Sequence, residues 1–148
     1  MRGIVLTILF AALLSGAALA HEGVTGPTKI RMDLMKDIGK ATKTLGKMAK
    51  SGTFDRPLMV DLAGVIARQG ARVDEVFTDR HMHPKTEALP AIWEEWETFS
   101  AQGRDMVEAA HAIETRAMTK AADEAWLRTA IKDLGATCKA CHDDFKKD

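Results

Sequence analysis

The 148 residues leave room for one domain, and the absence of tyrosine beside abundant Ala, Lys, Glu and Met favours helix over strand. Lysine plus arginine and aspartate plus glutamate balance at 21 each. The two signs are interspersed, as on ordinary solvated helix faces, and nothing in the overall balance suggests a nucleic-acid partner, which would require a net basic face.

The chain opens as an export leader. Arg2 precedes an almost wholly apolar run from Ile4 to Leu14, and the small-residue stretch behind it ends Ala18-Leu19-Ala20, the A-x-A spacing read by signal peptidase. Cleavage is expected after Ala20, leaving residues 21–148 as one domain. The apolar run is short beside the roughly 20 residues needed to span a bilayer. No later run is long and uncharged enough to serve as an anchor, so the expected mature chain is exported to the periplasm and soluble. His21 would become its amino terminus. An amine and imidazole there could chelate copper, but no partner histidine stands out, and that reading is set aside.

Four amphipathic stretches follow, with no strand-like alternation. The first spans about 27–50. Ile30, Leu34, Ile38, Ala41, Leu45 and Met48 recur at three- and four-residue steps, with Pro27 suited to the first turn and Gly52 to the exit. The second spans about 57–77, with Asp55 as N-cap and Leu58, Leu62, Ile66, Val73 and Val76 as its buried face. The third runs from about 90 to 115 along Ile92, Trp93, Trp96, Phe99, Met106, Val107, Ala110 and Ile113. The fourth runs from about 122 to 146 along Trp126, Ala130, Ile131, Leu134, Cys138, Cys141 and Phe145. Short links at 51–56 and 117–121 favour antiparallel neighbours, so the expected fold is an all-α antiparallel four-helix bundle, which can hold a cofactor between its helices. The longer middle link, 78–89, carries His81 and His83. Without further ligands they read as solvated loop residues. His111 reads as a surface or packed helix residue.

The fourth helix contains Cys138-Lys139-Ala140-Cys141-His142, the C-x-x-C-H attachment signature of c-type haem. Residues three and four apart share a helix face, so both thiols can add to the vinyl groups along one porphyrin edge, and the adjacent histidine is turned toward the iron. Export agrees, because bacteria make this attachment outside the cytoplasm. A thioredoxin-type disulfide would need a βαβ context that is missing, and a structural zinc site would need more ligands. Only six residues follow His142, so any sixth iron ligand must come from an upstream helix.

The whole stretch after the leader resembles the class II cytochromes c, the cytochrome c-prime group. The likeness rests on Gly135-x-x-Cys138-Lys-Ala-Cys-His-Asp-Asp-Phe145, on Ala88-Leu89-Pro90-Ala-Ile92-Trp93-Glu94, and on Arg31, Lys36 and Gly39. It implies a four-helix bundle with one haem c per chain, held through Cys138 and Cys141, with His142 as the proximal iron ligand. High-spin members of the group leave the distal side open to nitric oxide or carbon monoxide. Low-spin members place a methionine sulfur there and carry electrons. The corresponding position here is Met35, four residues after Arg31 and four before Gly39, with Met32 as the second candidate. The resemblance therefore implies a low-spin His/Met carrier of single electrons, not an enzyme, that meets redox partner proteins. Met is also an adaptable core filler, and the alternative is a five-coordinate protein that binds nitric oxide or carbon monoxide. Arg31 is a candidate partner for a haem propionate, since Arg pairs well with carboxylates. Members often carry Arg where this chain has Lys146, and often form homodimers through the first two helices.

Overall fold

The structure is a computed structural model that describes residues 23–119 and 121–148. The expected leader and His21 lie outside the described residues. Among those residues the helices are α1 (Gly26–Ser51), α2 (Arg56–Gly70), α3 (Val73–Phe77), α4 (Ala91–Glu94), α5 (Trp96–Ala117) and α6 (Glu124–Phe145).

Local chemistry sets the ends of the long helices. Pro27 sits in the first turn of α1, and the helix closes on Gly52 at φ 67° and ψ 14°, a left-handed conformation that glycine adopts without a Cβ penalty. The Asp55 side chain accepts from Leu58 N at 3.0 Å and so caps α2 as expected. Asp123 does the same for α6, accepting from Trp126 N at 2.8 Å.

The four long helices form a ring in which α1 and α5 each pack against both α2 and α6. Neighbours are antiparallel. Gly52, at the end of α1, faces Glu124 at the start of α6. Gly70 of α2 abuts Met106 and Val107, while Phe77 of α3 meets Phe99, with ring centroids 5.1 Å apart. The architecture is thus the antiparallel four-helix bundle expected from the helical period. Leu45, Met59, Ile66, Ile113, Leu127 and Leu134 are fully buried at its centre. Each such side chain contributes about 1.5–3 kcal/mol relative to exposure.

Two expected helices are interrupted. The second breaks after Gly70, where Arg72 N donates to Gln69 O at 3.1 Å and tightens the turn before α3. The third breaks at Glu95, whose φ −120° and ψ 44° leave the helical region. The buried face of α2 is also turned by one residue from expectation. Met59, Ala63, Ile66, Ala67 and Gly70 point inward, and Leu58 remains 39 % exposed. The small residues let the α2 backbone approach α5, and that proximity outweighs burying the larger Leu58. At the entry of α1, Ile30 is likewise exposed.

The long middle connection is tied to the end of α6. Leu89 N donates to Phe145 O at 2.9 Å, Lys147 N donates to Glu87 O at 2.8 Å, and Ala88 and Lys146 form an isolated antiparallel bridge. The link and the chain terminus thereby hold each other over the end of the helix that carries the cysteines.

Candidate haem site

Three residues apart on α6, Cys138 and Cys141 are both half-buried, and neither is in a disulfide. Burial pushes the Cys141 thiol up to about 11, with the Cys138 thiol and Asp144 adding to the shift. Cys138 is raised by the same burial, opposed by hydrogen bonds from Thr137 and its own backbone. Both sulfurs therefore stay neutral thiols at neutral pH. His142 follows directly. Its ring is exposed and makes no hydrogen bond among the described residues, which leaves its nitrogens available as ligands.

These residues open onto two apolar cavities between α1, α5 and α6, of about 330 and 320 Å³. Both volumes fall in the range of small-molecule and cofactor sites. Met35, Phe99, Cys141 and His142 line both cavities, so one set of walls serves both spaces. Phe99 is the hub of an aromatic cluster. Its ring centroid lies 5.1 Å from that of Phe77, 5.8 Å from that of Trp96, and 5.3 Å from that of Phe145, edge-on.

The polar atoms around these cavities support the fit. Among the described residues, the buried side-chain oxygens without a hydrogen-bond partner are Thr28 Oγ1, Thr42 Oγ1 and Gln102 Oε1. All three belong to residues lining one or other cavity. A buried orphan oxygen costs about 1–3 kcal/mol unless something satisfies it; the Thr28 and Thr42 hydroxyls can each donate to an acceptor on the polar edges of a guest, whereas Gln102 Oε1 can only accept. A porphyrin with two propionates has such edges and an apolar body. Two free thiols and an unengaged imidazole on one helix face complete a donor set suited to haem c.

Met35 and Met32 are not equivalent. Met35 is half-buried and borders both cavities, while Met32 borders one and is 43 % exposed. Thr28, Met35 and Thr42 stand seven residues apart, two helical turns each, and so share one face of α1 toward the cavities. That spacing was available in the sequence as two hydroxyls flanking a methionine, but the two threonines do not stand out there. Gln102 is another residue that the apolar stripe passes over.

Arg31 is 3 % exposed and turned into the fold. Its Nε donates to Val76 O at 2.9 Å, Nη1 donates to His81 O at 2.8 Å, and Nη2 donates to Asp79 O. The guanidinium also lies over the rings of Phe77 and Trp93, at 5.0 and 5.3 Å from their centroids. Burial lowers its pKa, offset in part by Asp79. Arg31 thus anchors the exit of α3 to α1, while still lining the larger cavity. Any propionate contact would have to use a donor left over from these three carbonyls.

The remaining histidines stand apart. His81 is exposed, His83 Nδ1 accepts from Lys85 N at 3.0 Å, and His111 Nδ1 lies 3.1 Å from Glu114 Oε2 on the surface. Among the described residues no group of three or more His, Cys, Asp or Glu could hold a metal ion. No helix among them is long and apolar enough to cross a membrane.

Comparison with known proteins identifies the family and agrees with the fold. Residues 27–146 match the family described as Cytochrome C′. The chain is 32 % identical over 134 residues to the cytochrome c′ of Rhodopseudomonas palustris, covering 89 % of this chain and 87 % of the relative. It is 32 % identical over 158 residues to a cytochrome c-554 of Cereibacter sphaeroides, covering 99 % of each. The solved structure of Rhodopseudomonas palustris cytochrome c′ superposes with a TM-score of 0.74 at 30 % identity, covering 84 % of this chain and 98 % of that one.

Proposed function

The chain belongs to the cytochrome c′ family, whose members hold one haem c with its iron per chain, and on that premise we propose that it carries single electrons in the periplasm. Cys138 and Cys141 would hold the haem through their sulfurs, and His142 of α6 and Met35 of α1 would supply the donors to its iron. The observation that carries this reading is the placing of Met35 on α1 and His142 on α6 as walls of the same two cavities. When bound, haem c supplies an iron that changes charge by one electron. A thioether donor together with an imidazole would raise its reduction potential.

The protein's own residues do the rest. Phe99, Ile92 and Phe145 keep the cavity walls apolar and limit water. Met35, held on a long helix packed against α2 and α6, offers its sulfur from a fixed backbone. With Met35 and His142 both serving as donors, the iron would gain or lose an electron without a change in its protein ligands. No group is assigned a catalytic role, and the redox chemistry belongs to the cofactor. Its partners are redox proteins.

A second reading has its own support. Because Met35 borders both cavities, a rotamer turned away from the iron would leave an apolar space on the α1 side, suited to nitric oxide or carbon monoxide. Optical spectra of the holoprotein, oxidised and reduced, with and without carbon monoxide, separate the two. Low-spin spectra indifferent to carbon monoxide, lost in Met35→Ala and kept in Met32→Ala, are the expected result. High-spin spectra that shift with carbon monoxide would make Met35 a pocket wall and gas binding the function.

A further inference from the structure

Charge is unevenly placed in this chain. Its net charge is zero, yet α1 carries seven Lys and Arg against two Asp, leaving the rest of the chain with an equal excess of acid. Five of the seven are Lys36, Lys40, Lys43, Lys47 and Lys50, spaced by alternate steps of four and three. At 100° per residue they fall within an arc of about 80°, and at 1.5 Å per residue they run for about 21 Å. All five are exposed, and none has a salt bridge or side-chain hydrogen bond among the described residues. Lys29, two steps before Lys36 on the same face, is paired with Asp33 at 2.5 Å, so the unpaired stripe begins at Lys36.

This stripe borders the haem site. Lys36 lines the larger cavity and Lys43 the other. Lys85 and Lys146 stand on the rim of the larger one, and among the described residues Glu87, paired with Lys146 at 3.2 Å, is the only carboxylate in either lining. Successive lysines are closer than the Debye length of about 10 Å at 0.1 M salt, so their fields add. Such like-charged rows cost helix stability. Gly39 and Gly46 lie alongside, and open space surrounds the position of a Cβ on either, so no side chain there keeps an approaching surface away.

We infer that the Lys36–Lys50 face of α1 is the docking surface for a redox protein that presents an acidic patch. This rests on the electron-carrier reading, since a partner that exchanges electrons must bring its own redox centre to the cavity mouth. A lipid headgroup surface offers charge without an electron acceptor. Complementary charge raises the encounter rate and fixes the orientation, and both effects fade with salt.

The test uses the holoprotein and a 20-residue polyglutamate peptide as the acidic probe, titrated by calorimetry at 20 and 200 mM salt. Binding at low salt that weakens at least tenfold at high salt is expected. Lys40→Glu/Lys47→Glu, which touches neither cavity lining, should weaken it at least tenfold with the haem spectrum unchanged. Lys132→Glu on α6 should leave it within about twofold, as expected of a charge off the stripe. Equal loss in the Lys132 variant, or none in the double variant, overturns the proposal. So does co-sedimentation with phosphatidylglycerol vesicles at the salt where the peptide no longer binds, because a lipid surface would then be the occupant. The titration reads no electron transfer, so an open distal side revealed by carbon monoxide would remove the carrier reading and leave the acidic-surface result standing on its own.

Discussion

Arg31 and Trp93 are stacked: the guanidinium carbon lies 5.3 Å from the ring centroid, and Trp93 Nε1 donates to Phe77 O at 2.7 Å. Between them they tie α1, the exit of α3 and α4 into one corner beside the larger cavity. Removing Arg31 would strand three backbone carbonyls, of which Val76 O and His81 O accept at 2.9 and 2.8 Å. Hydrogen bonds from charged donors are worth about 1.5–3 kcal/mol each, but such values do not add. Arg31→Ala should therefore destabilise the holoprotein by about 3 kcal/mol in urea unfolding. Arg31→Lys should recover less than half of that, because one ammonium cannot span three acceptors as the planar fork does. An Arg31→Ala variant within 0.5 kcal/mol of the parent, on the order of a surface substitution, would show that the corner does not depend on this clamp.

The cysteines should reveal their burial before haem is attached. In the haem-free chain, burial lifts the Cys141 thiol from its ordinary 9.0 to about 11, helped by Cys138 and Asp144. The sign follows from which state keeps its proton. Below 9 both folded and unfolded chains hold it. Between 9 and 11 the unfolded chain gives it up first, so this contribution to folding is complete below 9 and is lost as pH rises through about 11. Only the thiolate reacts with iodoacetamide. At pH 8, modification of Cys141 in the folded haem-free chain should be slower than in a urea-unfolded control by about a hundredfold, the thiolate ratio implied by that shift. The folded rate should keep climbing to about pH 11, whereas the control levels off near 9. Mass spectrometry of the alkylated peptide reads both rates, and matching rates at pH 8 would mean that Cys141 is not shielded.

The haem c of the family was legible because C-x-x-C-H is a contiguous word whose spacing matches a helix face, and the helix ends were legible because Asp55 and Gly52 act on their immediate neighbours. What the sequence concealed depends on contacts between distant segments. Leu58 belongs to an apolar stripe as good as that of Met59, and the choice between them is made by how closely Ala63, Ala67 and Gly70 let α2 approach α5. Arg31 carries no local sign that its partners are carbonyls 45 to 50 residues away. The same holds for the pairing of residues 87–89 with 145–147, which involves backbone atoms and leaves no trace in side-chain pattern.

The close approach of α2 and α5 can be tested at a single carbon. A Cβ on Gly70 would lie 2.7 Å from Val107 Cγ2 and 2.9 Å from Met106 Cε. The methionine end can swing away, but the β-branched valine on a packed helix has little room to turn. Gly70→Ala should therefore force the helices apart and cost about 1–3 kcal/mol, the usual penalty of overpacking. Gly46→Ala, in the interior of α1 with open space where its Cβ would stand, supplies the contrast. It should stabilise the protein by about 0.5–1 kcal/mol through helix propensity alone. Urea unfolding of the two holoprotein variants should move the midpoint in opposite directions. A neutral or stabilising Gly70→Ala would mean that Val107 yields without cost, and that glycine at this position is not what sets the spacing between α2 and α5.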